Sequence, residues 1–200
     1  HVIADIGSGT GISAECFLRN GHEVFGVEPN LAMRQAAESQ LRSDSKFHSI
    51  SGTAEATTLQ TRSIDYVVAA QAFHWFDQPK AKQEFSRILR PNGWVILIWN
   101  SRRKDASDFL RDYEALLQHY GTDYNQIKHT NTKPEDLQAF FGGTARRKLL
   151  YNEQLFDLNG LKGRLLSSSY VPNEAHPDFQ AMIATLERIF EQHQEQGNVR

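Results

Sequence analysis

A glycine-rich stretch near the start of the chain constrains its fold more than any other feature. Residues 5–11 read Asp-Ile-Gly-Ser-Gly-Thr-Gly, and they join an apolar run at residues 2–6 to a helical pattern at residues 10–20. Glycine adopts the left-handed backbone conformations that a sharp turn from strand to helix needs, and it lets the backbone approach a ligand closely. The helix N-terminus that follows offers free amides and a partial positive charge. The sequence therefore predicts a strand–turn–helix unit with a ligand at the turn.

Apolar runs and helical patterns alternate through the first half of the chain. We expect helices that begin after the caps Asn30 and Asp77, and further strands at residues 24–28, 47–50, 64–70 and 94–99. Strands that alternate with helices form parallel sheets through crossover connections. The predicted fold class is therefore α/β, a doubly wound and mostly parallel sheet with helices on both faces. The run Pro91-Asn92-Gly93 is expected to end the last of these helices and to turn the chain into the fifth strand.

The second half of the chain is less regular. Helical faces lie within residues 109–120, 159–168 and 177–194. Residues 148–156 have the composition of a sixth strand. Because no linker, repeat or low-complexity segment divides the sequence, we expect a single domain over residues 1–200. Its core would be residues 1–103, and residues 104–200 would form a helical substrate-side region with strand six.

Charge and composition exclude several classes of protein. The chain has 22 basic and 24 acidic residues, a formal charge of −2, whereas a nucleic-acid-binding surface needs a basic stripe. No apolar run approaches the roughly 18 residues of a membrane span. The single cysteine and the eight scattered histidines lack the spacing of metal ligands. We therefore expect no nucleic-acid partner, no membrane span and no metal. With no signal peptide in view, we also expect a cytoplasmic protein.

The spacing of the glycines separates two classes of cofactor. A dinucleotide-binding turn has the pattern G-x-G-x-x-G, and its third glycine would fall where this chain has Ile12. A nicotinamide-dependent oxidoreductase is therefore the weaker alternative. Glu28 ends the predicted second strand, and its carboxylate can accept hydrogen bonds from both hydroxyls of a ribose. Since an acid at this place also occurs in NAD enzymes, Glu28 indicates an adenosine-containing cofactor without choosing between the two classes.

The pattern G-x-G-x-G, with an acid two residues earlier, resembles motif I of the S-adenosylmethionine-dependent methyltransferases. Three further segments resemble the type 11 group of the class I enzymes: Gly-Thr-Ala-Glu-Ala at residues 52–56, Gln-Ala-Phe-His-Trp-Phe-Asp at 71–77, and Arg-Ile-Leu-Arg-Pro-Asn-Gly at 87–93. The match covers residues 1–103 in order and spacing. The resemblance implies a seven-stranded Rossmann-like sheet with a reversed last strand. It also implies methyl transfer from S-adenosylmethionine, with S-adenosylhomocysteine as the product.

The resemblance places the cofactor across the carboxyl ends of strands one, two and four. On the methionine side, Asp5 would meet the ammonium group, directly or through water, and Gln71 would lie under the methionine moiety. The turn would hold the same part of the cofactor through Gly7, Ser8, Gly9, Thr10 and Gly11.

On the adenosine side, the resemblance implies that Glu28 binds the ribose, with Pro29 and Asn30 bordering it. Ala54, through its backbone N–H, and Glu55 would border the adenine.

The chain departs from the family pattern in several places. Thr53 stands where many relatives have an aspartate that contacts the adenine amino group. The family's helix before strand one and its final strand are both missing from the sequence. We therefore expect a chain that is trimmed at both ends.

The reaction that the resemblance implies is an in-line displacement, in which the protein mainly aligns the acceptor and excludes water. A hydroxyl or amine acceptor loses a proton, and His74, just after strand four, is the candidate general base. Lining of the pocket and plain aromatic packing are the other interpretations of His74. We expect contacts to a small-molecule acceptor from Trp75, Asn100, Arg102, Ser169 and Tyr170. A module that binds S-adenosylmethionine without turnover is the alternative function. The sequence specifies neither the acceptor nor the oligomeric state.

Overall fold

The computed structural model describes residues 1–122, 124, 134–143, 145–168 and 170–200 of the chain. The chain divides into two compact units, one formed by His1–Asn100 and Thr132–Arg146 and the other by Ser101–Asn131 and Arg147–Arg200. The division after Asn100 lies close to the boundary predicted between residues 103 and 104. The expectation that residues 1–200 form a single domain stays a prediction.

Five strands form one sheet in the first unit: β1 (Val2–Ile6), β2 (Glu23–Val27), β3 (Phe47–Ile50), β4 (Ile64–Ala70) and β5 (Leu89–Ile98). Their order across the sheet is β3-β2-β1-β4-β5, and every neighbouring pair is parallel. The strand order reverses between β1 and β4, and open α/β sheets bind ligands at the carboxyl ends of the strands at such a reversal. The predicted α/β fold with a parallel sheet is confirmed.

The described helices are α1 (Ile12–Arg19), α2 (Leu31–Leu41), α3 (Gln78–Ile88), α4 (Asp108–Tyr120), α5 (Pro134–Phe141), α6 (Leu158–Leu166) and α7 (Phe179–His193), with a 3₁₀ turn at Phe73–Trp75. Two predicted N-terminal caps are confirmed. Asn30 Oδ1 accepts a hydrogen bond from Met33 N–H at 3.2 Å, and Asp77 Oδ1 accepts one from Lys80 N–H at 3.3 Å. Each cap satisfies an amide that the first helical turn leaves free, which contributes about 1 kcal/mol.

The core of the first unit lies on both faces of the sheet. Successive residues of a strand point to opposite faces, so Val67 and Val68 of β4 enter different apolar clusters. Val67 shares its cluster with Ile6, Phe73, Phe85 and Ile88, and Val68 shares the other with Ile3, Ala14, Leu18 and Leu41. Burial of one side chain of this size contributes about 1.5–3 kcal/mol. The two clusters therefore fix β1 and β4, whose carboxyl ends carry the candidate site.

Strand β5 begins earlier than the sequence predicts. Leu89 pairs with Ile64 and Trp94 pairs with Tyr66, so residues 90–93 are additional residues opposite a single residue of β4. Within this bulge Asn92 has a φ angle of 66°. Helix α3 ends at Ile88, three residues before Pro91, so the Pro-Asn-Gly run does not end the helix; it turns the chain inside β5 instead of before it. A bulge of this kind accommodates extra residues without breaking the ladder on either side.

The predicted sixth strand is wrong. Residues 148–155 form no strand, and Phe156 makes only an isolated antiparallel bridge with Val199. Leu149, Leu150 and Tyr151 of this segment are exposed. An apolar composition favours a strand only where a neighbouring strand offers backbone partners, and the described residues offer none along this segment. The sheet of the described residues has five strands, with β5 at one edge, whereas the resemblance implies seven.

Helices α4, α6 and α7 form the core of the second unit. Their bounds agree within about two residues with the helical faces predicted from the sequence. Buried side chains include Phe109, Tyr113 and Leu117 of α4, Leu161 and Leu165 of α6, and Met182, Leu186 and Phe190 of α7. None of the helices in the described part of the chain is both long enough and apolar enough to span a bilayer.

Candidate functional site

The glycine turn joins β1 to α1 at the carboxyl edge of the sheet. Gly7 N–H donates to Val27 O at 2.8 Å, which places the start of the turn beside the end of β2. Gly7, Gly9 and Gly11 have φ angles of 69°, 56° and 89°. Residues with a side chain rarely adopt such values, so the backbone of this turn requires the glycines that the sequence supplies.

Two of these glycines are also required by their neighbours. A Cβ atom on Gly7 would lie 2.6 Å from Ala72 Cβ, and one on Gly11 would lie 2.8 Å from Leu41 Cδ1. A Cβ on Gly9 would meet no described heavy atom within 4 Å. The base of the turn is therefore packed against protein, while its tip at Gly9 faces open space that a ligand can occupy.

The Glu28 carboxylate lies at the same edge, directly after β2. It is only 7% exposed and turns back toward the glycine turn. Gly9 N–H donates to its Oε2 at 3.1 Å, and Asn30 N–H donates to its Oε1 at 2.9 Å. A carboxylate has about four acceptor positions, so these two bonds leave capacity for further donors such as ribose hydroxyls.

Asp5 is the most unusual group of the site. It has no exposed surface, and Ser13 Oγ donates to its Oδ2 at 2.6 Å. Its Oδ1 is buried and has no hydrogen-bond partner among the residues that the structure describes. Burial raises the pKa of Asp5 to about 6, although hydrogen bonds from Ser13 and Ala14 oppose the rise. An unpartnered buried carboxylate oxygen fits a cationic ligand group such as an ammonium.

The loop after β3 carries the residues predicted to border the adenine. Thr53 and Ala56 close a turn through two backbone hydrogen bonds of 3.2 and 3.3 Å. Ala54 is buried in this turn. Glu55 extends to the next loop, where its Oε1 accepts a hydrogen bond from Asp77 N–H at 2.8 Å.

The loop after β4 carries Gln71, His74 and Trp75. Gln71 has a φ angle of 62°, and its N–H donates to Ile98 O at 2.9 Å. A positive φ at a residue other than glycine marks stored backbone strain, which is typical of functional loops. Burial lowers the pKa of His74 below its usual value, which favours the neutral imidazole. Trp75 is 81% exposed.

These contacts bring the predicted cofactor residues of the first unit to one edge of the sheet. The glycine turn contacts the loop after β2 through Gly9 and Glu28, and it packs against the loop after β4 through Gly7 and Ala72. The loop after β3 contacts the loop after β4 through Glu55 and Asp77. The remaining predicted residues lie in the same loops: Ser8 and Thr10 in the glycine turn, and Pro29 and Asn30 directly after Glu28.

In the second unit, Arg102 belongs to a partly buried charge cluster around the buried Glu114. Its Nη2 donates to Glu114 Oε2 at 2.5 Å and to Tyr124 OH at 3.0 Å, while Lys104 Nζ donates to Glu114 Oε1 at 3.0 Å. The ring of Tyr170 lies 5.1 Å from that of Tyr124, between centroids. Burial opposes the charge of Glu114, but its hydrogen bonds outweigh burial and hold its pKa at about 2. The structure thus brings two predicted acceptor residues, Arg102 and Tyr170, into one cluster.

The other predicted acceptor residues are more scattered. Asn100 is an exposed residue two positions after the end of β5. Ser169 lies outside the described residues. In the described ranges, no group of three or more His, Cys, Asp or Glu side chains is arranged to hold a metal ion.

Sequence reasoning missed the buried acids Glu84 and Glu114. Each lies on a helix face whose other members are buried apolar residues, Phe85 and Ile88 in α3 and Tyr113 and Leu117 in α4. A charged residue is rare on such an apolar face unless it is paired. Its presence in the sequence was therefore the available signal of a buried ion pair.

Comparisons with known proteins agree with this geometry. A family described as Methyltransferase domain matches residues 4–97. An uncharacterized methyltransferase of Mycobacterium tuberculosis is 32% identical over 133 residues, which are 66% of this chain and 52% of that protein. An uncharacterized methyltransferase of Schizosaccharomyces pombe is 26% identical over 198 residues, 93% of this chain and 75% of that protein. The chain spans about half the length of the first curated relatives it matches.

Solved structures show the same fold. A protein of Anaeromyxobacter dehalogenans assigned as a type II methyltransferase aligns with a TM-score of 0.62 and 23% identity, over 96% of this chain and 80% of its own. The YcgJ protein of Bacillus subtilis aligns with a TM-score of 0.58 and 20% identity, over 96% of this chain and 81% of its own. At these identities the likeness establishes the fold alone.

Proposed function

We propose that the chain is a class I S-adenosylmethionine-dependent methyltransferase of the type 11 group and that it transfers a methyl group to a small-molecule acceptor; the methyltransferase-domain match over residues 4–97 and the related methyltransferases support this. The family and fold imply S-adenosylmethionine as the cofactor. The observation that carries the proposal is the unpartnered buried oxygen of Asp5 beneath a glycine turn whose tip is open. An amino-acid moiety with an ammonium group fits that pair of features.

When bound, S-adenosylmethionine supplies an electrophilic methyl group and a neutral thioether leaving group. The chain's own residues would bind and orient it. Asp5 would hold the ammonium, and the turn amides would face the methionine part through Gly7, Ser8, Gly9, Thr10 and Gly11. Gln71, held at a strained φ directly after β4, would lie under the same part.

The adenosine part would lie toward β2 and β3. Glu28 would use its remaining acceptor positions for the ribose hydroxyls, with Pro29 and Asn30 at the border. Ala54 and Glu55 would border the adenine. The bond between Gly9 and Glu28 supports a shared site, because it makes the turn and the ribose carboxylate neighbours in space.

The acceptor would be aligned with the methyl group for in-line displacement, and the near-balanced charge of the chain supports a small molecule over a nucleic acid. His74 is proposed as the base for an acceptor that loses a proton, because its lowered pKa keeps the imidazole neutral near pH 7. Trp75, Asn100, Arg102, Ser169 and Tyr170 remain the proposed acceptor contacts.

A titration by calorimetry with S-adenosylmethionine, S-adenosylhomocysteine and NAD tests the cofactor, and transfer of a radiolabelled methyl group to a panel of small acids, amines and phenols tests the reaction. We expect binding of the first two compounds and transfer to at least one class of acceptor. Binding of NAD alone would overturn the proposal.

Replacement of Glu28 by alanine should weaken binding of S-adenosylhomocysteine by about 1.5–3 kcal/mol, the contribution of hydrogen bonds to a charged group. Glu38→Ala is the matched control, since Glu38 is exposed on α2. Calorimetry at pH 7.5 measures both variants. An affinity equal to that of the wild type would remove Glu28 from the ribose role.

If His74 is the base, His74→Gln should lower turnover about tenfold or more while cofactor affinity stays within about twofold. The wild-type rate should rise with pH through a pKa below the usual histidine range and then level, since a base acts in its deprotonated form. Single-turnover rates between pH 4.5 and 8 measure this. An unchanged rate in the variant would leave His74 a packing or lining residue.

A further inference from the structure

Glu84 is a buried charge of the described residues that the proposed site does not use. Glu84 lies in α3 with only 8% of its surface exposed, on the same helix face as Ala81, Phe85 and Ile88. A carboxylate at such a position is costly unless it is fully hydrogen-bonded. Its pKa is nevertheless lowered to about 2, chiefly by its hydrogen bonds with Arg87, despite the opposing effect of burial. Glu84 is therefore held as an anion by specific partners.

Those partners lie in the loop that joins β3 to β4. Glu84 Oε1 accepts hydrogen bonds from Thr57 N–H at 2.9 Å and from Thr57 Oγ1 at 2.5 Å. Arg87 Nε donates to Glu84 Oε2 and Arg87 Nη2 to Oε1, both at 2.7 Å. Thr57 has no exposed surface. Four hydrogen bonds fill the acceptor capacity of the carboxylate and leave none for a ligand.

Arg87 extends the same clamp along the loop. Its Nη2 also donates to Leu59 O at 2.8 Å, and its Nη1 donates to Thr61 Oγ1 at 3.1 Å. The loop between these contacts contains Thr58 with a φ angle of 63°. Such a conformation costs about 1 kcal/mol or more and persists where surrounding contacts determine it. Glu84 and Arg87 supply those contacts.

The clamp acts on the turn proposed to border the adenine. Thr57 directly follows the turn closed by Thr53 and Ala56. A Cβ on Gly52, on the other side of that turn, would lie 3.1 Å from Val27 Cγ1, next to the ribose carboxylate. Glu55, inside the turn, is bound by the N–H of Asp77 at the start of α3. Helix α3 therefore holds this turn at two points, through its N-cap Asp77 and through Glu84 in its second half.

We propose that Glu84 is a positioning residue for adenine recognition, which fixes Ala54 and Glu55 through Thr57 without touching the cofactor. This inference rests on the proposed function. It predicts that loss of Glu84 reduces the contribution of the adenine to binding and leaves the contribution of the ribose and amino-acid parts intact.

The test compares two ligands by calorimetry: S-adenosylhomocysteine, and S-ribosylhomocysteine, which lacks the adenine. In Glu84→Gln we expect affinity for the first to fall about tenfold or more and affinity for the second to stay within about twofold. Thr57→Val removes the hydroxyl bond and should change the ratio in the same direction. Thr57→Ser keeps both hydrogen-bond donors and should therefore retain the wild-type ratio of the two affinities.

Asp65→Asn is the matched control for general destabilisation. Asp65 lies in the same unit at the opposite, amino edge of the sheet, where it accepts hydrogen bonds from Val2 N–H and Arg90 Nη1, both at 2.8 Å. The Asp65→Asn variant should lower the melting temperature but leave the ratio of the two ligand affinities unchanged. If Glu84→Gln leaves the ratio of the two affinities unchanged, whether both fall equally or neither falls, the positioning role is overturned. A wild-type chain that binds neither ligand would overturn the proposed function, and this inference with it.

Discussion

Asp5→Asn should stabilise the ligand-free protein above pH 6 while it weakens binding of S-adenosylhomocysteine. The buried carboxylate is forced to carry a charge at neutral pH with one oxygen unpartnered, and its pKa of about 6 reflects that cost. The shift from the ordinary value of 3.8 corresponds to roughly 3 kcal/mol. Asparagine carries no charge, but its amide leaves a polar atom unsatisfied. We therefore expect a net gain of about 1–2 kcal/mol.

The sign of the pH dependence follows from proton binding. Between about pH 4 and 6 the folded protein holds a proton on Asp5 that the unfolded chain has lost. Stability from this group therefore falls as the pH rises through that range, and it stays low above it. Glu84 and Glu114, with pKa values of about 2 against an ordinary 4.5, contribute the opposite slope at lower pH. The combined contribution of these three groups to the stability of the ligand-free protein should be greatest between about pH 4 and 5.

Urea denaturation at intervals from pH 3 to 8 measures this profile, and calorimetry measures the affinity. In Asp5→Asn the fall above pH 4 should disappear, and affinity for S-adenosylhomocysteine should drop by about 1.5–3 kcal/mol because the ammonium loses a charged partner. Asp105→Asn, an exposed exchange, should change neither. A variant that is less stable and binds normally would contradict the role assigned to Asp5.

Gly11→Ala and Gly9→Ala should separate the structural and ligand-facing parts of the turn. A Cβ at Gly11 meets Leu41 at 2.8 Å and Ala37 at 3.2 Å, and φ is 89°. Backbone strain and overpacking together should cost about 2–5 kcal/mol of stability. A Cβ at Gly9 meets no described atom within 4 Å, so its φ of 56° should cost only about 1–2 kcal/mol.

The loss of affinity in these two variants should rank in the opposite order to the damage to the fold. In Gly9→Ala the new methyl group occupies the open space over the turn, so binding of S-adenosylhomocysteine should be lost even though the protein is folded. Thermal unfolding and calorimetry measure the two effects, with Gly21→Ala as a control at a φ of 80° and no nearby described atom. Wild-type affinity in Gly9→Ala would show that the cofactor does not approach the tip of the turn.

The parts of the fold that depend on local chemistry could be predicted from the sequence. The glycine spacing predicted a turn whose φ angles do require glycine, and Asn30 and Asp77 were recognisable as caps because a cap acts within three residues. The apolar run of β4 predicted a strand that is buried on both faces. In each case a short segment carries the whole signal.

The parts that depend on distant partners could not be predicted. Residues 148–156 have the composition of a strand, yet the described residues offer them no ladder, and composition does not show whether a partner is present. The bond between Gly9 and Glu28 joins residues 19 positions apart, and the clamp between Glu84 and Thr57 joins residues 27 apart. Spacing within a motif carries no information about such contacts.

The edge position of β5 has a practical consequence for handling the protein. Trp94, Ile96 and Ile98 are 52%, 39% and 42% exposed, and no strand of the described residues pairs along the outer side of β5. Unsatisfied backbone groups beside apolar side chains template the addition of foreign strands. Concentrated solutions of these 200 residues should therefore tend to aggregate. The substitution Ile96→Lys would place a charge on this edge strand, and it should be introduced before crystallisation to reduce that aggregation.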